Sequence, residues 1–407
     1  MFYFRIMKDF YHDLKNRSPH KLPKVLGLTA CLMVKAVRVE KFHEERRILE
    51  QIMDSRVETT TNLYEILKYV TAPREEFCFY PTENVNNGEL YQLITSHCNV
   101  ASQKLSQIFE KEKSRLKNLG NNSNSEKARE ELGKDYKVMK NNTIQNILDG
   151  ISDLGLISLI LNFPGFKAQA ERNCSKALKV FYAAEVRREM DQVMLECLCQ
   201  VDSVVRKIPH SDGSYQSLRK LSSAKVLHLM EKLKTASQEE EQRAIVFVEK
   251  QYHAETLCRI LREFAKCDAE LSNISTDFAY SPGSNLNVKD PNQREMVNNN
   301  RRRLRETLAK FKDGRVNTLV ATSVIEEGLD VRTCNLVIKF DFPSTFRSYV
   351  QSKGRARAKP SKYILMISHT DREKKLKAYN SYRAMEDLSM RECHHRNEDD
   401  EPHVNSN

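Results

Sequence analysis

No Cys-x-x-Cys pair occurs among the 10 cysteines, and the nearest two, Cys197 and Cys199, fall within a helical pattern that points them in different directions. That argues against a cysteine-held metal site or a disulfide framework; the thiols read as reduced and structural, as in a cytosolic protein. No apolar run is long enough to cross a bilayer. The opening residues, MFYFRIMKDFYHDL, carry charges through their apolar positions, which fits neither a secretory leader nor a membrane span. Sequons such as Asn121-Asn122-Ser123 therefore carry little meaning. No segment repeats at a fixed period, which excludes a solenoid or propeller.

What is present is a chain of 407 residues, enough for two or three domains. Hydrophobic residues make up 40% and charged residues 30%, the composition of a globular protein with a well-solvated surface. The net charge of +11 favours a polyanionic partner.

The texture changes along the chain. Residues 1–86 are mixed: an apolar run, KVLGLTA, then a charged helix-like stretch from about Glu40 to Val70, then EEFCFYP, whose alternation reads as a strand closed by Pro81 with Phe77 and Phe79 on one face. Residues 87–235 read as helical nearly throughout. Ile144, Ile147, Leu148, Ile151 and Leu154 recur at helical spacing as a core stripe, and the pattern is expected to stop at Phe163, before Pro164. One long helix is expected from about Phe166 past Cys199, and another at SAKVLHLMEKLKT. NLGNNSNSEKARE reads as a polar loop and IPHSDGSYQS as a linker. Residues 236–372 change period: RAIVFVE, TLVATS, NLVIKFD and YILMIS are short apolar strands, with KQYHAETLCRILREFAK and REMVNNNRRRLRETLAKFK as helices after the first. Apolar strands alternating with helices predict a parallel sheet with helices on its faces. A basic helix follows at 373–388, and the tail after Cys393 reads as polar and disordered.

Ligands of open α/β sheets bind beyond the carboxyl ends of the strands, and two stretches fall there. The first is ATSVIEEGLDV, residues 321–331, where Thr322 and Ser323 offer hydroxyls and Asp330 can accept hydrogen bonds. The second is YVQSKGRARAKP, residues 349–360, where Arg355 and Arg357 stand two residues apart behind Gly354. Adjacent carboxylates in a turn diverge, so Glu326 and Glu327 are given no acid/base role. Arg301 to Arg305 reads as a solvated helix face that could also reach phosphates. Cys393, His394, His395 and His403 have irregular spacing in a polar tail, so no metal site is assigned.

Together, ATSVIEEGLDV…CNLVIKFDFPSTFRSYVQSKGRARA resembles motifs V and VI of a superfamily 2 helicase, and its wording resembles the Dicer family more than the RIG-I-like RNA sensors. LPKVLGLTA resembles motif III, and RAIVFVEKQYHAETLCRIL resembles motif IV with its helix. The match is dense over about 240 to 385, good over 20 to 82, and weak over the helical middle, where the family carries a helical insertion between two RecA-like domains.

The resemblance implies an α/β fold: a RecA-like, parallel-sheet helicase C-terminal domain at 236–372, a helical-bundle insertion at 87–235, the C-terminal part of a first RecA-like domain at 1–86, and a basic helix with a tail at 373–407. It implies that Arg355 and Arg357 are the catalytic arginines reaching the γ-phosphate of ATP, with Glu327, Gly328, Asp330, Gln351 and Gly354 at the nucleotide. Thr322 and Ser323 would hold the RNA backbone, and Thr29 and Ala30 would couple the two events. The family also needs a phosphate-cradling GxxxxGK[ST] loop and an acidic DECH-like box for Mg²⁺. Neither occurs in this sequence, nor does an RNase III acidic signature. The expectation is therefore a fragment: ATP and Mg²⁺ belong to a complete protein with the missing N-terminal RecA-like half, and this chain alone neither hydrolyses ATP nor cuts RNA. The expected partners are double-stranded RNA and, secondarily, a double-stranded-RNA-binding protein, in the cytoplasm, with no membrane. The alternatives are a non-catalytic RNA- or partner-binding module that regulates the full enzyme, and a fragment of a RIG-I-like sensor.

Overall fold

A computed structural model describes residues 7, 11–17, 31–57, 72–82, 88–120, 123–175, 181–208, 214–237, 242–280, 291–326 and 334–394. In chain order its elements begin with α1 (His12–Arg17), α2 (Val39–Met53) and β1 (Arg74–Tyr80). Helices follow: α3 (Gly88–Asn118), α4 (Ser123–Lys137, running into a π-helical turn at Val138–Ile144), α5 (Gln145–Asp153), α6 (Ile157–Ser175), α7 (Ala184–Val205), α8 (Tyr215–Leu221) and α9 (Ala224–Ser237). The remainder alternates: β2 (Ala244–Phe247), α10 (Gln251–Cys267), β3 (Thr276–Ala279), α11 (Pro291–Asp313), β4 (Thr318–Ala321), β5 (Leu336–Lys339), α12 (Phe346–Lys353), β6 (Lys362–Ser368) and α13 (Arg372–His394). The expected α/β class with parallel strands is what the structure has, with helix outweighing strand. None of the described helices is long and apolar enough to cross a membrane.

The chain forms two compact units. One comprises Met1–Phe77, Glu326–Ile367 and Asp371–Asn407; the other comprises Cys78–Ile325 and Ser368–Thr370.

The larger unit holds α3 to α11 and β2 to β4. Its helical core follows the 3.6-residue period. On α3, Ile94, Cys98, Ala101 and Leu105 are buried, and they meet Met190, Met194, Cys197 and Val201 of α7 in one apolar cluster. Each fully buried aliphatic side chain contributes about 1.5–3 kcal/mol, so this stripe holds the bundle rather than helix propensity. The sequence stripe behaves as expected: Ile144, Ile147, Ile151 and Leu154 are buried, and Leu148 packs against the cluster. Cys197 is buried and Cys199 exposed, as their spacing implied.

In the same unit, β2 and β3 both pair with β4 in parallel, Ala244 and Thr276 each facing Thr318. All three strands are buried along their length. Helix α10 covers them with Leu257, Ile260, Leu261 and Phe264. The bundle is fastened to α10 by polar bonds: Asn162 donates to Thr256 Oγ1 at 2.8 Å, Arg259 donates to the Leu161 carbonyl at 3.2 Å, and Lys250 pairs with Asp149. Gly155, at φ +93°, turns the chain after α5 and forms an antiparallel bridge with Ser222.

The smaller unit pairs β5 with β6 in parallel, Leu336 facing Lys362, and β1 lies on the other side of β6. The Arg74 N–H donates to the Ser361 carbonyl at 2.9 Å.

Several expectations need correction. Helix α6 runs through Pro164 instead of stopping before it; the proline removes one N–H, and the buried residues on either side, Leu159 and Phe163 before and Ala170 after, hold the helix together. The single helix expected from Phe166 past Cys199 is two, α6 and α7. Most of NLGNNSNSEKARE is helical, because α4 starts at Ser123 with Glu126 in its first turn. The end of the expected linker begins α8, where the Ser214 side chain accepts from the Ser217 N–H. β3 has no counterpart among the expected strands: it is four residues, TDFA, with a buried aspartate inside it. In β1, Cys78 is the buried residue and both flanking phenylalanines are half-buried, so the alternation is blunted. The apolar run KVLGLTA and the tail after His394 lie outside the described residues, as does the part of the charged stretch beyond Val57.

Candidate functional site

The arginine-bearing segment belongs to the smaller unit. Helix α12 starts where Thr345 Oγ1 accepts from the Ser348 N–H at 3.1 Å. Phe346, Tyr349 and Ser352, three residues apart, form its buried face. Ser352 donates to the Ser348 carbonyl and shares a 2.9 Å hydrogen bond with Tyr363 of β6. The helix ends at Gly354, whose N–H donates to the Val350 carbonyl at 2.9 Å. Gly354 has φ −66°, so its turn does not itself demand glycine.

Beyond the helix the chain is tied to the approach of β5. The Arg357 and Ala358 N–H groups both donate to the Cys334 carbonyl at 3.1 Å, and Ala356 bridges Cys334 in parallel. Ala356 takes the buried position. The Arg355 guanidinium, half-buried, donates to the Glu326 carbonyl at 3.0 Å, while Arg357 is exposed with its Nε on the Gly354 carbonyl at 2.9 Å. Two cationic forks on a fixed backbone can hold the oxygens of a phosphate. Gln351 lies half-buried on α12 one turn earlier.

Beneath Arg355 is a buried ion pair. Lys339, the last residue of β5, donates to Glu326 Oε1 at 2.9 Å, and the Ser348 hydroxyl donates to the same oxygen at 2.9 Å. The two charged side chains are only 8% and 5% exposed. The Glu326 side chain is thus anchored by two buried donors on one oxygen. The signal was legible in NLVIKFD: a lysine inside an apolar, buried strand needs a partner.

A second polar cluster fixes the same helix from its other side. Tyr349 donates to Glu75 Oε2 at 2.7 Å, and Lys353 donates to Glu75 at 3.2 Å and to Glu386 at 2.7 Å. Arg383 of α13 donates to both carboxylates, at 3.1 and 3.2 Å. Burial, reinforced by the charge of Glu386, pushes the Tyr349 hydroxyl far above its ordinary range. Burial also raises Tyr363, and pushes Tyr379 up to about 12. This cluster joins residues some 300 positions apart, and nothing in the local sequence marks it.

The remaining expected residues fall elsewhere. Thr322 and Ser323 belong to the larger unit, directly after β4; Thr322 is buried with its N–H on the Ala279 carbonyl at 3.1 Å, and Ser323 is exposed. Both thus stand at the carboxyl end of a parallel strand. Glu327, Gly328, Asp330, Thr29 and Ala30 lie outside the described residues. Arg301, Arg302, Arg303 and Arg305 are exposed on α11, with Arg303 over the Phe278 ring at 3.9 Å.

Comparison with known proteins follows the same segments. Residues 224–359 match the helicase conserved C-terminal domain family. Endoribonuclease Dicer-S of Xenopus laevis is 43% identical over 153 residues, 37% of this chain and 8% of that protein. Endoribonuclease Dicer homolog 2 of Arabidopsis thaliana is 28% identical over 375 residues, 91% of this chain and 25% of that protein. Endoribonuclease dcr-1 of Caenorhabditis elegans is 28% identical over 382 residues, again 91% of this chain and 18% of the relative. The chain spans a quarter or less of the length of these relatives.

Proposed function

Starting from a chain that carries a Dicer-type superfamily 2 helicase region, we propose that it supplies the arginine side of an ATP site and binds the backbone of double-stranded RNA. Arg355 and Arg357 stabilise the charge that develops on the γ-phosphate, with Gln351 and Gly354 shaping the approach. Groups of this kind are worth roughly 10³ to 10⁵ in rate when correctly aimed. The observation that carries this reading is the seat of Arg355: a half-buried guanidinium fixed to the Glu326 carbonyl, with an exposed arginine two residues on.

In this reading Glu327, Gly328 and Asp330 complete the nucleotide side, Thr322 and Ser323 hold the RNA backbone, and Thr29 and Ala30 couple the two. The sequence holds no GxxxxGK[ST] loop, so ATP and Mg²⁺ are bound only together with a phosphate-cradling RecA-like half. The RNA is read by shape and phosphates, not by sequence. The wider setting is cytoplasmic small-RNA processing in RNA interference and antiviral defence, with a double-stranded-RNA-binding protein as a further partner.

The test has two arms on the purified full chain. Fluorescence anisotropy with labelled duplexes should give binding that is independent of sequence, favours duplex over single strand, and weakens steeply with salt. A folded chain with no measurable duplex binding overturns the RNA part. ATP turnover by the chain alone should be absent with or without duplex RNA. RNA-stimulated turnover would overturn its restriction to the arginine side.

A further inference from the structure

Arg355 can serve a phosphate only if its guanidinium is presented in one place. Its own side chain is long and carries many rotamers, so the placement must come from its surroundings. One contact that supplies it is the 3.0 Å hydrogen bond to the backbone carbonyl of Glu326. A carbonyl is a good anchor only if its own residue is immobile. Glu326 stands in a turn just after the short helical turn Ser323–Ile325.

Its side chain gives it buried partners. The Glu326 carboxylate is driven into the interior of the unit, where Lys339 and Ser348 both donate to Oε1. Lys339 also donates to the Ser348 hydroxyl at 3.2 Å, closing a three-membered ring of polar groups. Lys339 comes from the end of β5, a strand buried along its length, and Ser348 from the first turn of α12, whose Phe346, Tyr349 and Ser352 are buried. A buried ion pair of this kind adds little net stability, yet breaking it is costly because one charge is left alone. A device that is expensive to break and gains little in stability suits positioning.

We propose that Glu326, Lys339 and Ser348 are positioning residues for Arg355: their buried ring clamps the turn at 326, and the carbonyl of that turn sets the guanidinium. The proposal deepens the ATP reading above and rests on it for its purpose, but the geometry it asserts exists without nucleotide.

The experiment reads that geometry directly. The full chain is treated with phenylglyoxal, an arginine-directed reagent, and modification at Arg355 and Arg357 is quantified by peptide mass spectrometry. Lys339→Met should raise the labelling rate at Arg355 about fivefold, the ratio set by one lost hydrogen bond, and leave Arg357 near its original rate. Lys339→Arg, which keeps the charge and the donor, should restore protection. Because Lys339→Met strands a buried carboxylate and could unfold the unit, Lys339→Met with Glu326→Gln removes both charges together; this pair should fold and still expose Arg355. Circular dichroism establishes folding in each case. Unchanged labelling of Arg355 in folded Lys339→Met or in the folded double variant overturns the proposal. So does an equal rise at Arg357, which would mean that the whole segment has come loose. No nucleotide is used, so the positioning can fail while the ATP reading stands, and the reverse.

Discussion

Replacing Gly155 with alanine should be among the most damaging single-methyl changes in the larger unit. The cost has two sources. Gly155 sits at φ +93°, and an L-residue there loses about 1–2 kcal/mol. The added Cβ would also lie 2.4 Å from the Leu221 carbonyl oxygen, 2.6 Å from the Ser223 nitrogen and 2.8 Å from the Ser222 carbonyl carbon. All three are backbone atoms, so no rotamer relieves the clash. The bridge to Ser222 must open, and with it the bond from the Ser223 N–H to the Leu154 carbonyl and that from the Ser223 hydroxyl to the Asp153 carbonyl. At about 1 kcal/mol each, these bring the expected loss to roughly 3–4 kcal/mol. Two controls separate the sources. Gly120 has φ +86° with nothing within 4 Å of the place a Cβ would take, so Gly120→Ala should show the backbone loss alone, about 1–2 kcal/mol. Gly165 lies inside α6 with open space around it, so Gly165→Ala should stabilise by roughly 0.5–1 kcal/mol. Urea unfolding followed by helical ellipticity, compared at constant m, gives the three values. If Gly155→Ala costs no more than Gly120→Ala, the close approach has no energetic weight and the reasoning fails.

Lys353→Met should destabilise the smaller unit by about 1.5–3 kcal/mol, because Glu75 and Glu386, 14% and 18% exposed, lose one charged donor while Arg383 stays on both; adding Glu386→Gln should recover part of the loss, and a double variant no better than the single in thermal melts would refute the pairing. High pH should weaken the same unit. Tyr349, Tyr363, Tyr379 and Tyr382 are all raised above 10.0, chiefly by burial. Unfolded chains lose these protons near pH 10 while the folded unit retains them, so the contribution is complete below pH 10 and falls above it by up to about 1.4 kcal/mol per pH unit for each tyrosine. Melts paired with tyrosinate absorbance should show ionisation coinciding with unfolding; tyrosines that all titrate near pH 10 in a still-folded chain would contradict it. Pro164→Ala should stabilise α6 by about 1–3 kcal/mol by restoring an N–H inside the helix, and an unchanged urea midpoint would show that the helix already accommodates the ring.

Much of the fold was legible because periodicity survives in the apolar residues. The stripe from Ile144 to Leu154 and the strand runs AIVF, TLVA, LVIK and KYILMIS are all there. The errors came where local chemistry and packing disagree. Pro164 reads as a stop, yet buried neighbours carry α6 past it. The asparagine-rich stretch near Ser123 reads as loop, yet it begins a helix that packs Ala128, and Leu132 just beyond the stretch, into the bundle. TDFA is too short and too polar to read as a strand until β4 is placed beside it.

The site divides the same way. That two arginines stand behind a glycine, after a strand and a short helix, is a matter of order along the chain, and spacing alone displays it. The sequence by itself determined the composition of that segment, its likeness to helicase motifs, and the helical and strand periods around it, because these depend on neighbours a few residues apart. Only the tertiary structure decided that Arg355 rests on Glu326, that Lys339 and Ser348 hold Glu326, and that Glu75 and Glu386 hold α12 through Lys353. Those bonds join β1, β5, α12 and α13 across tens to hundreds of residues, and a buried charge finds its partner only when the chain has folded and water has been excluded.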